Sequence, residues 1–585
     1  MRGSLLSSRT MALVLLLVLF LGILAGGLRS PADWALAGSL FWLAALASPQ
    51  RPSWQTMRPW LLFVSWLAVC ALASDQSLKS LPVLSRWAAA AVWLGLAATL
   101  WQEREKQYWF WGLALIAAIL AAASLYGGMT NPSWGNRSDR PELMSGLLRP
   151  YYNYTIFVLV GACAAAAAVL AHKQGPHRAL RLLAPLLVLS ALAFYFTRAR
   201  GGAIALCGGA ALALIRQGHG RKLLVAAMGV VLAALLFKGT SLWLMKLDKS
   251  AVFKRPQIWK AAFQAVREHP LAGLGPGNFE QGFRLHNFPS NYRVTNYQFS
   301  TPYAHSEPLH VAAEAGVPGL ALLLAALAAG LRVPRRRVMS WEKEAALAAF
   351  VAMSLHLLVD NMLQLPALCL LYLAPLAVLR EDQEPASSPS RAWAWLCGTG
   401  LVFAAASWAP ERLSAFYERN GFMATDPRRR VEFAWRAMRV FPAEPGLREG
   451  LARAWLAAQP PNPEQALREL ERASALSPFN AIYLVMRAEI LRQNGQWEQI
   501  QALAERAEAL EPNCLQARLL RAEALIRARR RPEAIAELAE VRKRREKLKS
   551  VDFYVPDRSR YTGFDLTIGA FDAGRFAAIE RLAYD

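Results

Sequence analysis

The chain predicts an all-α fold, a polytopic membrane helix bundle of about 12–13 spans with a large extracytoplasmic loop and a C-terminal helical-repeat domain. Three observations carry that expectation. Residues 1–410 are a succession of apolar stretches, many long enough for a hydrocarbon core of ~30 Å. Residues 238–308 interrupt them with a polar, basic and aromatic insert. After Pro410 the composition turns to Ala, Leu, Glu and Arg in helix-length runs.

The spans read in order as 11–28, 34–47, 59–73, 82–101, 108–126, 154–171, 179–197, 201–215, 222–237, 309–331, 343–359, 364–379 and 392–409. Two of them, 34–47 and 201–215, are short but are needed for a consistent topology. The first apolar segment lacks a small-residue cleavage site and reads as a retained span. A net charge of +24 would suggest nucleic acid in a soluble protein. With 55% hydrophobic residues the charge instead belongs to cytoplasmic loops, which collect Lys and Arg, so no nucleic-acid partner is expected. From a cytoplasmic N-terminus (Arg2, Arg9), the inside segments hold Arg51/Arg58, Arg104/Lys106, Lys173/Arg178, Arg216/Arg221/Lys222 and Arg332/Arg335/Arg336/Arg337. The alternation puts 127–153, 238–308 and everything after Pro410 outside.

Six cysteines (Cys70, Cys163, Cys207, Cys369, Cys397, Cys514) show no pairing logic and no zinc-ligand spacing. No metal and no cofactor are expected. The linker 380–391 contains the acidic Glu381-Asp382-Gln383-Glu384, which reads as a solvated loop across the membrane from the other polar features.

The organisation expected is a transmembrane domain over 1–410, a helical-repeat domain over 411–550 and a C-terminal cap over 551–585. Ala475-Leu476-Ser477-Pro478 recurs as Ala509-Leu510-Glu511-Pro512, a shift of 34 residues, and Val440-Phe441-Pro442 is a looser copy. This resembles the tetratricopeptide repeat, whose helix pairs stack because one pair cannot bury its own apolar face. A plain helical bundle is the alternative. Such an array is usually a binding surface, so a protein partner is expected there.

Four polar stretches gather at the outer face. Arg198 and Arg200, followed by Gly201-Gly202, sit at the outer end of a span, where snorkelling anchors compete with a functional reading. Lys254-Arg255-Pro256-Gln257-Ile258-Trp259 precedes the Gly/Pro-rich 270–277, whose backbone N–H groups could face a phosphate or could simply make turns. His305-Ser306-Glu307 opens the next span, nine residues before Gly316-Val317-Pro318-Gly319. Asp360-Asn361 ends the 343–359 span, where an acid is costly unless paired or hydrated.

Together, Arg-Gly after a span, the stretch from Arg255 through Trp259 to His269-Pro270-Leu271-Ala272-Gly273-Leu274-Gly275-Pro276-Gly277-Asn278-Phe279, and His-Ser-x9-Gly-x-x-Gly resemble the O-antigen ligase and polymerase superfamily over residues 150–380. His305, Ser306, Gly316 and Gly319 satisfy the most specific motif, while Ala199 stands where the family pattern has Ser before Arg-Gly. The resemblance implies transfer of a glycan from an undecaprenyl-diphosphate carrier to an acceptor at the periplasmic face of a bacterial inner membrane. Physical chemistry runs parallel to it. A departing diphosphate can be stabilised by arginines without a metal, and a neutral histidine can take the acceptor's proton. The expected catalytic set is His305, Arg200, Arg255 and Asp360, with an inverting single displacement. Arg198, Trp259, Ser306, Glu307, Gly316 and Gly319 are the expected substrate-binding residues. The acceptor would be lipid A–core in a ligase, a protein hydroxyl in an oligosaccharyltransferase, or another repeat unit in a polymerase. A polysaccharide exporter or scaffold is the alternative from another class, disfavoured because the polar groups collect at one face and the halves show no symmetry.

Overall fold

A computed structural model describes residues 7–28, 30–52, 54–130, 152–197, 199–220, 254–289, 295–331, 339–380, 390–549 and 572–585. Arg198, the expected span 222–237, the acidic stretch 381–384 and most of the expected cap lie outside them. Among the described residues the protein is helical, with short 3-10 turns and no strand.

The first half is built from α1 (Ser8–Leu24), α2 (Pro31–Leu46), α3 (Trp54–Leu72), α4 (Leu81–Leu100), α5 (Glu103–Thr130), α6 (Tyr152–Ala171), α7 (His177–Leu182), α8 (Ala184–Thr197) and α9 (Arg200–Arg216). The insert holds α10 (Arg255–Glu268) and α11 (Phe279–Leu285), and apolar helices resume with α12 (Glu307–Gly330), α13 (Trp341–Leu357), α14 (Pro366–Leu379) and α15 (Arg391–Ala406). By length and composition, 5 described stretches can cross a membrane, and shorter apolar helices accompany them. α14 is apolar on every side, and each of its residues is buried, so it forms the centre of the bundle against α1, α4 and α13. Close helix approach elsewhere depends on small residues. A Cβ on Gly209 of α9 would lie 2.6 Å from Ala348 O and 2.7 Å from Ala352 Cβ of α13.

Three expected spans are interrupted. The stretch 179–197 is divided at Leu183 into α7 and α8. The last, 392–409, stops at Ala406, and a separate helix starts at Ala409. The most consequential is 309–331: α12 is broken at Gly316, whose φ of 69° and ψ of 179° are not helical. The insert, read from its polarity as a loop, folds in part into helices, and α10 forms because Ile258, Ala261, Ala262 and Ala265 recur at helical spacing and are buried.

Beyond α15 follow α16 (Ala409–Met423), α17 (Pro427–Val440), α18 (Pro445–Leu456), α19 (Pro463–Leu476), α20 (Ala481–Gln493), α21 (Ile500–Leu510), α22 (Leu515–Arg527), α23 (Arg531–Lys549) and α24 (Ala573–Tyr584). From α16 to α23 each helix packs on the next in chain order, and α24 packs on α22 and α23. The recurrence in sequence has a backbone counterpart. Ser477 N bonds to Ala473 O and Asn480 N to Ser477 O; Glu511 N bonds to Ala507 O and Cys514 N to Glu511 O, the same turn 34 positions later.

Candidate active site

The break in α12 is where the insert meets the bundle. Leu274 N and Gly275 N donate to Ala313 O and Glu314 O, each at 2.9 Å, and Val317 N donates to Pro270 O at 2.9 Å. The Gly/Pro-rich turn thus supplies the partners that a broken helix leaves unsatisfied. The N–H groups of Leu274 and Gly275 are spent in this way, which favours the structural reading of the turn over a phosphate cradle. Gly316 and Gly319 belong to the same crossing. A Cβ on Gly316 would stand 1.9 Å from Leu271 O, and one on Gly319 would meet Ala315 Cβ at 2.4 Å and Trp66 at 3.2 Å. Their visible work is close packing.

The segment of α12 before the break carries the polar residues. Ser306 stands at its N-cap, and its carbonyl accepts from His310 N at 2.9 Å. Glu307 is buried and accepts from Gln364 Nε2 at 2.8 Å. Gln364 is held in turn by Arg86 of α4, through its carbonyl at 2.7 Å and its side chain at 3.0 Å. His310 faces Glu314 at 3.5 Å, and Glu314 accepts from Phe279 N at 3.2 Å.

Three of the four expected catalytic residues meet at Asp360. Its side chain is 3% exposed, against 24% for His305 and 33% for Arg255, so a buried carboxylate floors a more open mouth. Arg255 Nη2 lies 3.9 Å from Asp360 Oδ2, and His305 Nδ1 lies 3.8 Å from Oδ1. His356 Nε2 lies 3.8 Å from Oδ2, one helical turn before it on α13. Asn361 N donates to Oδ1 at 2.9 Å. Burial opposes ionisation of Asp360, but His305, His356 and Arg255 outweigh it and hold its pKa below the usual carboxylate range. A carboxylate, not a carboxylic acid, therefore faces the histidines at neutral pH.

His305 adopts the left-handed backbone region, with φ of 51°, uncommon for a non-glycine and typical of functional strain. Trp259, on the insert helix α10, donates its indole N–H to His305 O at 3.2 Å and so ties the two ends of the insert together. Lys254 is stacked over Phe299 at 4.1 Å, and burial lowers its pKa. Arg200 is the first residue of α9. Its neighbour Gly201 abuts Val359 and His356, where an added Cβ would meet Val359 Cγ2 at 2.7 Å and His356 Nδ1 at 3.8 Å. The backbone of the Arg-Gly pair therefore borders the cluster. Glu307 Oε2 and Asn361 Oδ1 are buried without a hydrogen-bond partner among the described residues, which leaves acceptors for a hydroxyl or for water.

Two residues of this network did not stand out in the sequence. Arg86 is an ionisable residue inside the apolar stretch 82–101, which is a functional signal by default. His356 stands four residues before Asp360, the spacing at which helical side chains meet.

The far side of the insert rests on the helical array. Glu511 is fully buried and accepts from two consecutive backbone amides, Asn296 N at 2.6 Å and Tyr297 N at 2.8 Å. The Tyr297 ring stacks on Phe479 at 4.9 Å. Glu444 receives Lys79 at 2.9 Å and Arg284 at 3.0 Å. Burial raises the Glu444 pKa, but these two cations outweigh it and the net displacement is downward.

Residues 185–324 match the family model described as O-Antigen ligase, so the resemblance read from the motifs is supported across α8, α9, the insert and most of α12. In general terms the match supports ligase- or polymerase-type glycan transfer at a membrane. No curated protein matches the chain.

Proposed function

With the O-antigen ligase match as premise, we propose that this protein transfers a glycan from an undecaprenyl-diphosphate carrier to an acceptor hydroxyl at the outer face of the bacterial inner membrane. One observation carries the reading: Arg255 and His305, both distant from Asp360 in sequence, share its buried carboxylate at a partly open mouth. The acceptor hydroxyl attacks the anomeric carbon while the bond from that carbon to the diphosphate oxygen breaks. The leaving oxygen keeps the electron pair, and undecaprenyl diphosphate departs. Nε2 of His305 accepts the hydroxyl proton, and Asp360, facing Nδ1, stabilises the imidazolium that forms. Attack opposite the leaving group inverts the anomeric centre.

Arg255 and Arg200 are the groups we assign to the diphosphate, with Arg198 as a third. Guanidinium forks suit phosphate oxygens, and in a partly dehydrated site they stabilise charge as it develops. Catalysis on this scheme is independent of metal. Trp259, Ser306 and Glu307 position His305 and the acceptor. The domain division at about Pro410, with the array on the periplasmic side, is part of the same proposal. An O-antigen ligase acting on lipid A–core is the first reading of the acceptor. The contact of the array with the insert supports a protein or a second lipid-linked glycan as the alternative.

The test is transfer by purified protein given the lipid-linked glycan and candidate acceptors, followed by gel shift of the acceptor. His305→Ala and Asp360→Asn should each lose at least about 100-fold in transfer, the scale of a general-base contribution, with the folded protein recovered normally. Wild-type rates in His305→Ala would sink the assignment.

A further inference from the structure

Helix α16 carries a surface that the transfer chemistry does not use. Only Ser407 and Trp408 separate it from α15, and both have helical backbone angles. Ala409, Leu413, Phe416 and Met423 fall on one stripe of α16, which Asn420 interrupts with its side-chain amide turned back to Phe416 O, and all but Ala409 of the four are large, exposed apolar residues, Phe416 at 56% and Met423 at 69%. Arg412 and Arg419 border the stripe. The helix buries Ser414 and Gly421 toward α17, and by its period of 3.6 residues Glu411 and Glu418 fall on the side away from the stripe. The stripe continues one already present on α15: Trp395 at 77% and Val402 at 68% exposed stand fourteen and seven residues before Ala409.

Length decides where such a stripe must lie. The run Arg391–Met423 has 33 residues. At ~1.5 Å per residue it reaches about 50 Å, beyond the ~30 Å hydrocarbon core and past the ~40–45 Å that includes the headgroups. The α16 end therefore passes through the headgroup layer, where an apolar stripe edged by arginines is at home.

We propose that the exposed stripe of α16 is a lipid-binding surface, inserted at the headgroup level of the leaflet from which α15 emerges, with Arg412 and Arg419 on the phosphates of anionic phospholipids. This fixes the first helix of the array to the membrane, and through α17 and α18 it sets the height of the array beside the insert.

The experiment uses the full chain in nanodiscs of phosphatidylethanolamine with phosphatidylglycerol. The photocrosslinker p-benzoylphenylalanine replaces Phe416 or Met423, and, as a control on the array, Arg468. Irradiation should give phospholipid adducts at the first two positions and none at the third. Omitting phosphatidylglycerol, or introducing Arg412→Gln with Arg419→Gln, should lower adduct yield by roughly fivefold for each arginine that loses its attraction to an anionic headgroup. Absence of lipid adducts at Phe416 and Met423, or equal yields with and without phosphatidylglycerol, overturns the proposal. Crosslinks from Phe416 to a second copy of the chain overturn it too, and would assign the stripe to a dimer contact.

Discussion

Replacing Gly316 by alanine strikes the point where the insert is fastened to the bundle. The new Cβ would stand 1.9 Å from Leu271 O and 2.4 Å from Leu271 C. Neither atom can swing aside as a side chain would, because Pro270 O is held by Val317 N at 2.9 Å. The backbone conformation at φ 69° costs a non-glycine residue about 1–3 kcal/mol by itself. Relieving the clash separates the turn from the break and endangers three backbone hydrogen bonds, each worth about 0.5–1.5 kcal/mol net. The total is about 2.5–7.5 kcal/mol against the closed arrangement. Hydrogen exchange of the full chain in nanodiscs reads this directly. Amides in 268–280 and 313–320 should lose about 70-fold or more of their protection, and transfer should fall with them. Gly446→Ala, where an added Cβ meets nothing within 4 Å, is the control and should leave those peptides unchanged. Protection in Gly316→Ala equal to that of the unsubstituted protein would refute the view that the break and the turn are one joint.

Glu444 provides a pH test. Its folded pKa is depressed, so its contribution is complete above the ordinary carboxylate range and is lost as pH falls through the folded value. Glu444→Gln should therefore lower the melting temperature at pH 7 and have progressively less effect on acidification; a constant difference at every pH would contradict this. Glu511→Ala leaves two backbone amides without their acceptor, at a cost of about 1.5–3 kcal/mol for each bond. Exchange across 295–300 should rise at least about tenfold, and unchanged exchange there would remove Glu511 from its anchoring role. Trp259→Phe deletes one hydrogen bond to His305 O and should lower kcat about two- to tenfold with little change in KM; an effect confined to KM would place Trp259 on substrate instead.

The bundle was legible because lipid leaves few solutions. A backbone in hydrocarbon must satisfy its own hydrogen bonds, so a long apolar run is a helix almost by necessity. Residues 82–101 and 154–171 became α4 and α6 with little change of outline. The His-Ser-x9-Gly-x-x-Gly spacing was equally visible, but the meaning of its glycines was not. Hydropathy averages over Gly316 and reports one span over 309–331; the break depends on Pro270 and Leu271 lying against it, some 45 residues earlier. The turn 270–277 was ambiguous for the same reason, since its N–H groups could be assigned only once Ala313 and Glu314 were placed beside them.

The sequence by itself determined the membrane class, the basic and polar insert between apolar runs, the 34-residue recurrence and the candidacy of His305, Arg255 and Asp360. Those properties are local: composition, period and short spacing survive without knowledge of what packs where. Tertiary structure alone decided that Asp360 is the shared partner of Arg255, His305 and His356, that Arg86 reaches Glu307 through Gln364, and that Glu511 of the array holds the insert. Each of these is a contact between chain segments far apart in sequence, or one whose worth depends on burial, and neither quantity is written in a run of residues.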